Sequence, residues 1–187
     1  MFLAVFCCFV SCSTKKEEHL ECFAMDTVIT LKAYGKDVTV ALNAAADEIY
    51  RLDRLFSVTD PQSDISILNA GGNTISQDTA SLLSTAYTLS QSTDGAYDFT
   101  VAPLMRLWGW YSNTCSVPTD DSIKETLASI GWNHVLLNDL NVSFRKKGME
   151  LDLGGIAKGY AANSVANLLK EKHYRPQNLL KRSQQYQ

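Results

Sequence analysis

The segment Leu151-Asp152-Leu153-Gly154-Gly155-Ile156-Ala157-Lys158-Gly159-Tyr160-Ala161 constrains this chain more than any other. An apolar run carries an acid to its end, two glycines follow, and a periodic stretch with Ala161, Val165 and Leu168 on one face then begins. That order predicts a strand over Glu150–Leu153 and a helix opening at Gly154-Gly155. A helix N-terminus offers unpaired N–H groups and a partial positive charge, which suit a phosphate. Lys158 adds a full charge, and Asp152 can take a ribose hydroxyl or help hold a metal. These residue types suit a magnesium-nucleotide diphosphate. The segment is not a P-loop, because Gly159 stands where Ser or Thr would follow the lysine. Taken alone, it equally describes a glycine-lined packing of helix on strand.

The rest of the chain predicts a mixture of helices and short antiparallel strands, an α+β fold. Met25–Tyr34 alternates as a strand, and from Asp37 a helix places Leu42, Ala45, Ile49, Leu52 and Phe56 on one face. Ser63–Asn69 reads as a short helix, and Ser76 as the N-cap of a helix burying Leu82, Leu83, Ala86 and Leu89. Ala96–Trp110 has no clean period and is rich in large apolar groups, the mark of a functional loop. Pro118–Ile130 reads as an amphipathic helix, with Val135–Leu137 and Val142–Phe144 as strands.

The formal net charge of -3 and the absence of a basic block argue against a nucleic-acid partner. The five cysteines include no Cys-x-x-Cys pair, so a zinc or redox motif is not indicated, and Cys22 and Cys115 read best as free thiols. At the start, Met1–Val10 is almost wholly apolar and Phe9-Val10-Ser11-Cys12 resembles a bacterial lipobox. The expectation is a lipoprotein-type signal over 1–11, a lipid on Cys12, a tether over 12–24 and a lipid-anchored place in a bacterial cell envelope, on the periplasmic or extracytoplasmic face. A plain cleaved signal or a buried apolar segment are the alternatives.

Several further motifs precede the glycine pair in order. They are Met25-Asp26-Thr27, Leu52-Asp53 to Phe56-Ser57, Ser63-Asp64-Ile65-Ser66 with Asn69, and Thr93-Asp94-Gly95-Ala96-Tyr97-Asp98-Phe99-Thr100 through Leu107-Trp108-Gly109. Together they closely resemble the ApbE family of FAD:protein FMN transferases, over roughly Phe23 to Leu169. The resemblance implies an enzyme that cleaves FAD and transfers FMN to a Thr or Ser of an acceptor protein, using Mg2+. It implies flavin or FAD contacts at Met25, Ala96, Tyr97, Asp98, Asp152 and Lys158, and a magnesium-binding carbonyl at Gly155. The implied acceptors are subunits of membrane redox complexes, such as Na+-translocating NADH:quinone oxidoreductase or Rnf-type assemblies. Without the resemblance, Met25 is a core residue and Asp98 a brace of its loop. Trp108 and Trp110 read as packing residues rather than flavin-stacking partners.

Two departures stand out. Thr59 occupies a position where the family often has a flavin-contacting Tyr or Asn, and it is too short to stack on a flavin ring. The family also continues into His-x-Ile-Asp-Pro and Asp-Ala-x-Ser-Thr segments that carry a candidate general base and further magnesium ligands; neither occurs in these 187 residues. The expectation is a partial domain over 25–172, a divergent polar tail over 173–187, and weak activity from this chain alone. An FAD pyrophosphatase yielding FMN and AMP, a non-catalytic FAD-binding lipoprotein and an inactive fragment remain the alternatives. Replacing Cys12 by Ser is expected to abolish palmitate labelling of the chain in a bacterial host and to shift it from the membrane to the soluble fraction.

Overall fold

The computed structural model describes residues 17–35, 37–112, 114–171 and 181–182. Its first element is a hairpin. Strand β1 (Glu17–Ala24) pairs antiparallel with β2 (Thr27–Tyr34) in unbroken register from Glu17 opposite Tyr34 to Ala24 opposite Thr27. Met25 and Asp26 form the two-residue turn, with φ of 52° and 56°. Positive φ at both central residues matches the right-handed twist of the strands, but without glycine it costs on the order of 1 kcal/mol per residue. Met25 is therefore at a turn and not on the strand expected over Met25–Tyr34. Its N–H donates to Asp53 Oδ1 at 3.0 Å, tying the turn to the following helix.

The tether reading of 12–24 fails over its described part. Leu20, Cys22 and Ala24 alternate toward the interior, and the β2 backbone satisfies their peptide groups, so Glu17–Ala24 is strand. The segment 1–11, Cys12 and most of the tail 173–187 lie outside the described residues. Within that tail, Lys181–Arg182 pair antiparallel with β2.

Helix α1 (Val38–Phe56) follows, and the periodic Leu42, Ala45, Ile49, Leu52 and Phe56 are all buried. The short helix α2 (Asp64–Asn69) is capped by Ser63, whose hydroxyl accepts the Ser66 N–H at 2.9 Å. Ser76 opens α3 (Gln77–Ser92) as expected. Asp64 Oδ2 accepts from the Ser76 N–H at 2.8 Å and the Thr79 hydroxyl at 2.5 Å, joining α2 to the start of α3. The irregular Ala96–Trp110 stretch contains a helix after all, α4 (Ala102–Leu107), with proline in its first turn. Helix α5 (Asp120–Leu127) is shorter than the Pro118–Ile130 expected. A 3-10 turn at Trp132–His134 leads into the antiparallel pair β3 (Val135–Asn138) and β4 (Asn141–Phe144). The long helix α6 (Gly154–Glu171) follows, and the Lys181–Arg182 pair is β5.

The third expected strand, Glu150–Leu153, is not one. It is extended, with a single parallel bridge from Glu150 to Val101, and its main neighbour is a side chain. Asn69 Oδ1 accepts the Leu151 N–H at 2.7 Å while Asn69 Nδ2 donates to the Leu151 carbonyl at 3.0 Å.

Two apolar clusters organise these elements. The larger joins Leu52, Phe56, Ile65, Leu82, Phe99, Leu151, Leu153 and Ala157, packing the C-terminal half of α1 with α2, α3 and the N-terminal half of α6. The smaller puts Ala24 and Leu31 of the hairpin against Ala41, Leu42, Ile49, Val165 and Leu169. Each fully enclosed leucine contributes about 2 kcal/mol by leaving water. A polar clamp spans the helices above them. Arg51 pairs with Glu48 at 2.8 Å and Asp78 at 2.7 Å, Tyr160 donates to Asp78 at 3.0 Å, and Ser164 donates to Glu48 at 2.6 Å. These contacts fasten α6 to both α1 and α3. Among the described residues, no helix is long and apolar enough to cross a membrane.

Replacing Asn69 by Ala strips both partners from a buried peptide. The expected loss is about 2 kcal/mol of unfolding free energy, read from the shift of the urea midpoint.

Candidate functional site

The site is built around the extended Glu150–Leu153 segment. Asn69 holds one side of it, and on the other the Asp152 N–H donates to the Phe99 carbonyl at 2.9 Å. That bond sets Ala96–Thr100 against the start of α6. Asp152 then turns back on its own chain, its Oδ1 accepting the Gly154 N–H at 2.7 Å. The N–H groups of Ile156 and Ala157 both donate to the Leu153 carbonyl, at 3.0 and 2.9 Å. The anion-binding capacity expected of this helix end is thus narrower than an open terminus. Among the described residues, the Gly155 N–H is the first-turn amide left without an acceptor.

Gly155 lies close under Tyr97. A Cβ there would stand 3.1 Å from Tyr97 Cε2, so the ring would have to give by a few tenths of an ångström. The Tyr97 phenol oxygen is buried and has no hydrogen-bond partner. Burial, then the nearby charges of Asp152 and Asp98, push this phenol up to about 12. The structure thus brings Tyr97, Asp98, Asp152 and Gly155 together, with Ala96 exposed beside them and Lys158 exposed on the next turn of α6. Lys158 makes no ion pair among the described residues. Asp98, however, braces its loop. Its Oδ1 accepts from the Thr100 N–H at 2.8 Å and the Thr100 hydroxyl at 2.6 Å, and its Oδ2 from the Trp132 N–H at 3.1 Å.

Tyr111, which no sequence motif pointed to, donates its hydroxyl to Asp152 Oδ2 at 2.5 Å. Arg106 lies over the Tyr111 ring, 5.4 Å from its centroid, and pairs with Glu150 at 2.6 Å. This ion pair also walls a cleft of about 550 Å³ lined by Thr59, Pro61, Ile67 and Asn69. Thr59 is exposed at this cleft, which it lines together with Arg106 and Glu150. Its loop is knitted by hydroxyls, with Ser63 donating to the Ser57 carbonyl at 2.5 Å and Ser66 to the Val58 carbonyl at 2.8 Å. The Met25 side chain is packed in the larger core, against whose buried residues Tyr97 and Ile156 also pack. The packing roles expected of Trp108 and Trp110 are not met: they are 40% and 68% exposed. Cys22 is a buried free thiol and Cys115 an exposed one.

A magnesium ion wants about six oxygens in octahedral array. Among the described residues, no group of three or more His, Cys, Asp or Glu side chains is placed to hold a metal. Both Asp152 oxygens already have donors, and the Gly155 carbonyl alone is no cage. The described residues do not make a magnesium site on their own.

A family model described as the ApbE family matches residues 25–177. The chain belongs to the ApbE family. Among its relatives, the FAD:protein FMN transferase of Klebsiella pneumoniae (strain 342) is 33% identical over 153 residues, covering 79% of this chain and 48% of the relative. The enzyme of the same name from Treponema pallidum (strain Nichols) is 26% identical over 158 residues, covering 76% and 44%. The crystal structure of the ApbE protein from Thermotoga maritima superposes with a TM-score of 0.80 at 30% identity, covering 84% of this chain and 54% of that one. The ApbE fold and its α+β character are thereby shown. The chain spans about half the length of the relatives it matches.

Replacing Tyr97 by Phe removes a buried hydroxyl that has no partner. The ligand-free protein is expected to gain about 1 kcal/mol, seen as a raised melting temperature. The native phenol holds its proton to about 12, whereas an unfolded tyrosine releases it at about 10. The folded state therefore binds more protons between these values. This contribution to stability is complete below pH 10 and lost as pH rises toward 12. Thermal melts across that range should fall less steeply in the Phe variant.

Proposed function

We propose that this chain provides the diphosphate-binding part of an FAD:protein FMN transferase, held at the periplasmic or extracytoplasmic face of a bacterial membrane through a lipid on Cys12. The observation that carries the reading is the set of unspent groups at the start of α6. The Gly155 N–H and the Tyr97 hydroxyl are donors without acceptors, and Lys158 is an exposed cation one turn on. A dinucleotide diphosphate supplies the acceptors and the negative charge, and its sugar hydroxyls are donors matched to the Asp152 carboxylate. Family membership favours FAD among such ligands, since the relatives carry that substrate in their names.

In the proposed reaction a Thr or Ser oxygen of the acceptor protein attacks the FMN-side phosphorus. The bond to the bridging oxygen breaks, and AMP leaves with that oxygen. Gly155 and Lys158 face the charge that develops on the departing phosphate, where fixed donors accomplish most in phosphoryl transfer. The described residues bind and orient, and none is assigned as the base that receives the hydroxyl proton. The acceptor is a subunit of a membrane redox complex. Met25 contributes through the hairpin turn it fixes, because its side chain is taken up by the core.

The test supplies the full chain with FAD, Mg2+ and a Thr-bearing peptide, and follows FAD fluorescence, peptide mass and nucleotide products. FAD is expected to bind, with Lys158→Ala weakening it about tenfold, and slow transfer to show as a peptide gain of the mass of FMN less water. Free FMN with AMP indicates hydrolysis instead, and FAD retained intact indicates storage. No binding of FAD by the wild-type chain overturns the reading.

A further inference from the structure

Asp152 is gripped from two directions. Its Oδ1 is tied to its own turn through the Gly154 N–H, a local contact that the strand-to-helix bend creates. Its Oδ2 is tied by the Tyr111 hydroxyl at 2.5 Å, reaching across 41 positions of sequence. A donor brought from so far must itself be fixed, and Tyr111 is fixed three times over. Gly109 adopts φ 75°, and a Cβ there would collide with the Thr114 carbonyl, so the chain reverses tightly just before Tyr111. The Ser112 hydroxyl closes the reversal onto the Gly109 carbonyl at 3.2 Å. Arg106 covers the ring, and its ion pair with Glu150 anchors that cover two residues before Asp152. Burial first, then the bond to Asp152, raise the Tyr111 phenol well above its ordinary value, so it remains a neutral donor.

A carboxylate has about four lone-pair directions, and Tyr111 and Gly154 together take two. With one donor on each oxygen, the group is held against rotation and its remaining lone pairs point in set directions. Recognition of a ligand hydroxyl gains most when the acceptor needs no reordering.

We propose that Tyr111 is the positioning residue of Asp152, holding its carboxylate in the one rotamer that accepts a hydroxyl of the bound dinucleotide. The proposal rests on the FAD reading above for the identity of the ligand. Tyr111 acts through Asp152 and not on the ligand itself.

Two measurements on the full chain test it, using wild type, Tyr111→Phe, Asp152→Asn and the double variant. The first needs no flavin: crystal structures of ligand-free wild type and Tyr111→Phe. One Asp152 rotamer is expected in wild type and a displaced or split carboxylate in the Phe variant, and an unmoved carboxylate in the variant overturns the proposal. The second is FAD affinity by calorimetry. Tyr111→Phe is expected to bind about tenfold more weakly, while the double variant binds no more weakly than Asp152→Asn alone. Unchanged affinity in Tyr111→Phe, or losses that multiply in the double variant, also overturn it, since a merely structural tyrosine adds its effect independently. Failure of wild type to bind FAD removes the flavin reading, and the crystal structures still decide whether Tyr111 positions Asp152.

Discussion

The two hydrogen bonds between the Asn69 side chain and the Leu151 peptide are the constraint from which the site follows. Leu151 is fully buried, so its N–H and carbonyl need partners, yet no strand runs beside it there. A carboxamide presents a donor and an acceptor with the spacing of a peptide group, and Asn69 stands in for the missing strand. With one side of the segment satisfied, the other is free to register against Phe99. Tyr97 is thereby carried onto Gly155, and Asp152 into reach of Tyr111. Without the substitute strand, the Leu151 peptide would be buried unpaired, and the placement of these four residues would rest on the Phe99 bond, the Tyr111 bond and the core alone.

Most polar side chains in the family motifs are committed to the backbone. Ser57, Ser63 and Ser66 knit the loop around Thr59, Asp64 joins α2 to α3, Asp53 holds the Met25 turn, and Asp98 ties its loop to Trp132. In a fold with short strands and many connections, side chains do the pairing that ladders would do elsewhere. Among the motif groups that stay uncommitted, the Gly155 N–H, the Tyr97 hydroxyl and the Lys158 ammonium stand near one helix end.

How much of this was legible in the sequence depended on how local the cause was. The α1 stripe, the Ser76 cap and the opening of α6 rest on spacings within a few residues, and the structure places them as read. Glu17–Ala24 was missed because the adjoining lipobox-like start suggested a tether and the large apolar Phe23 faces outward, breaking the alternation; its strand character comes from pairing with β2. The Met25-Asp26 turn carries positive φ without glycine or asparagine to announce it. Glu150–Leu153 has strand composition, but its partner is an asparagine side chain 82 positions away. Tyr111 lay beyond sequence reasoning for the same reason; the only hint was the irregular, aromatic stretch that ends beside it. Trp110 shows the opposite failure, a large ring read as interior that stands mostly in solvent.

The clamp of Arg51, Glu48, Asp78, Tyr160 and Ser164 has a mechanical consequence. It grips α6 one to three turns beyond Gly155 through two hydroxyls, and sliding or rolling of that helix must break both of their bonds to carboxylates that Arg51 holds in place. The mouth of α6 therefore behaves as a stationary socket. Under the proposed reading, adjustment on loading falls to the incoming dinucleotide, and its selection rests on shape and donor pattern at a fixed rim.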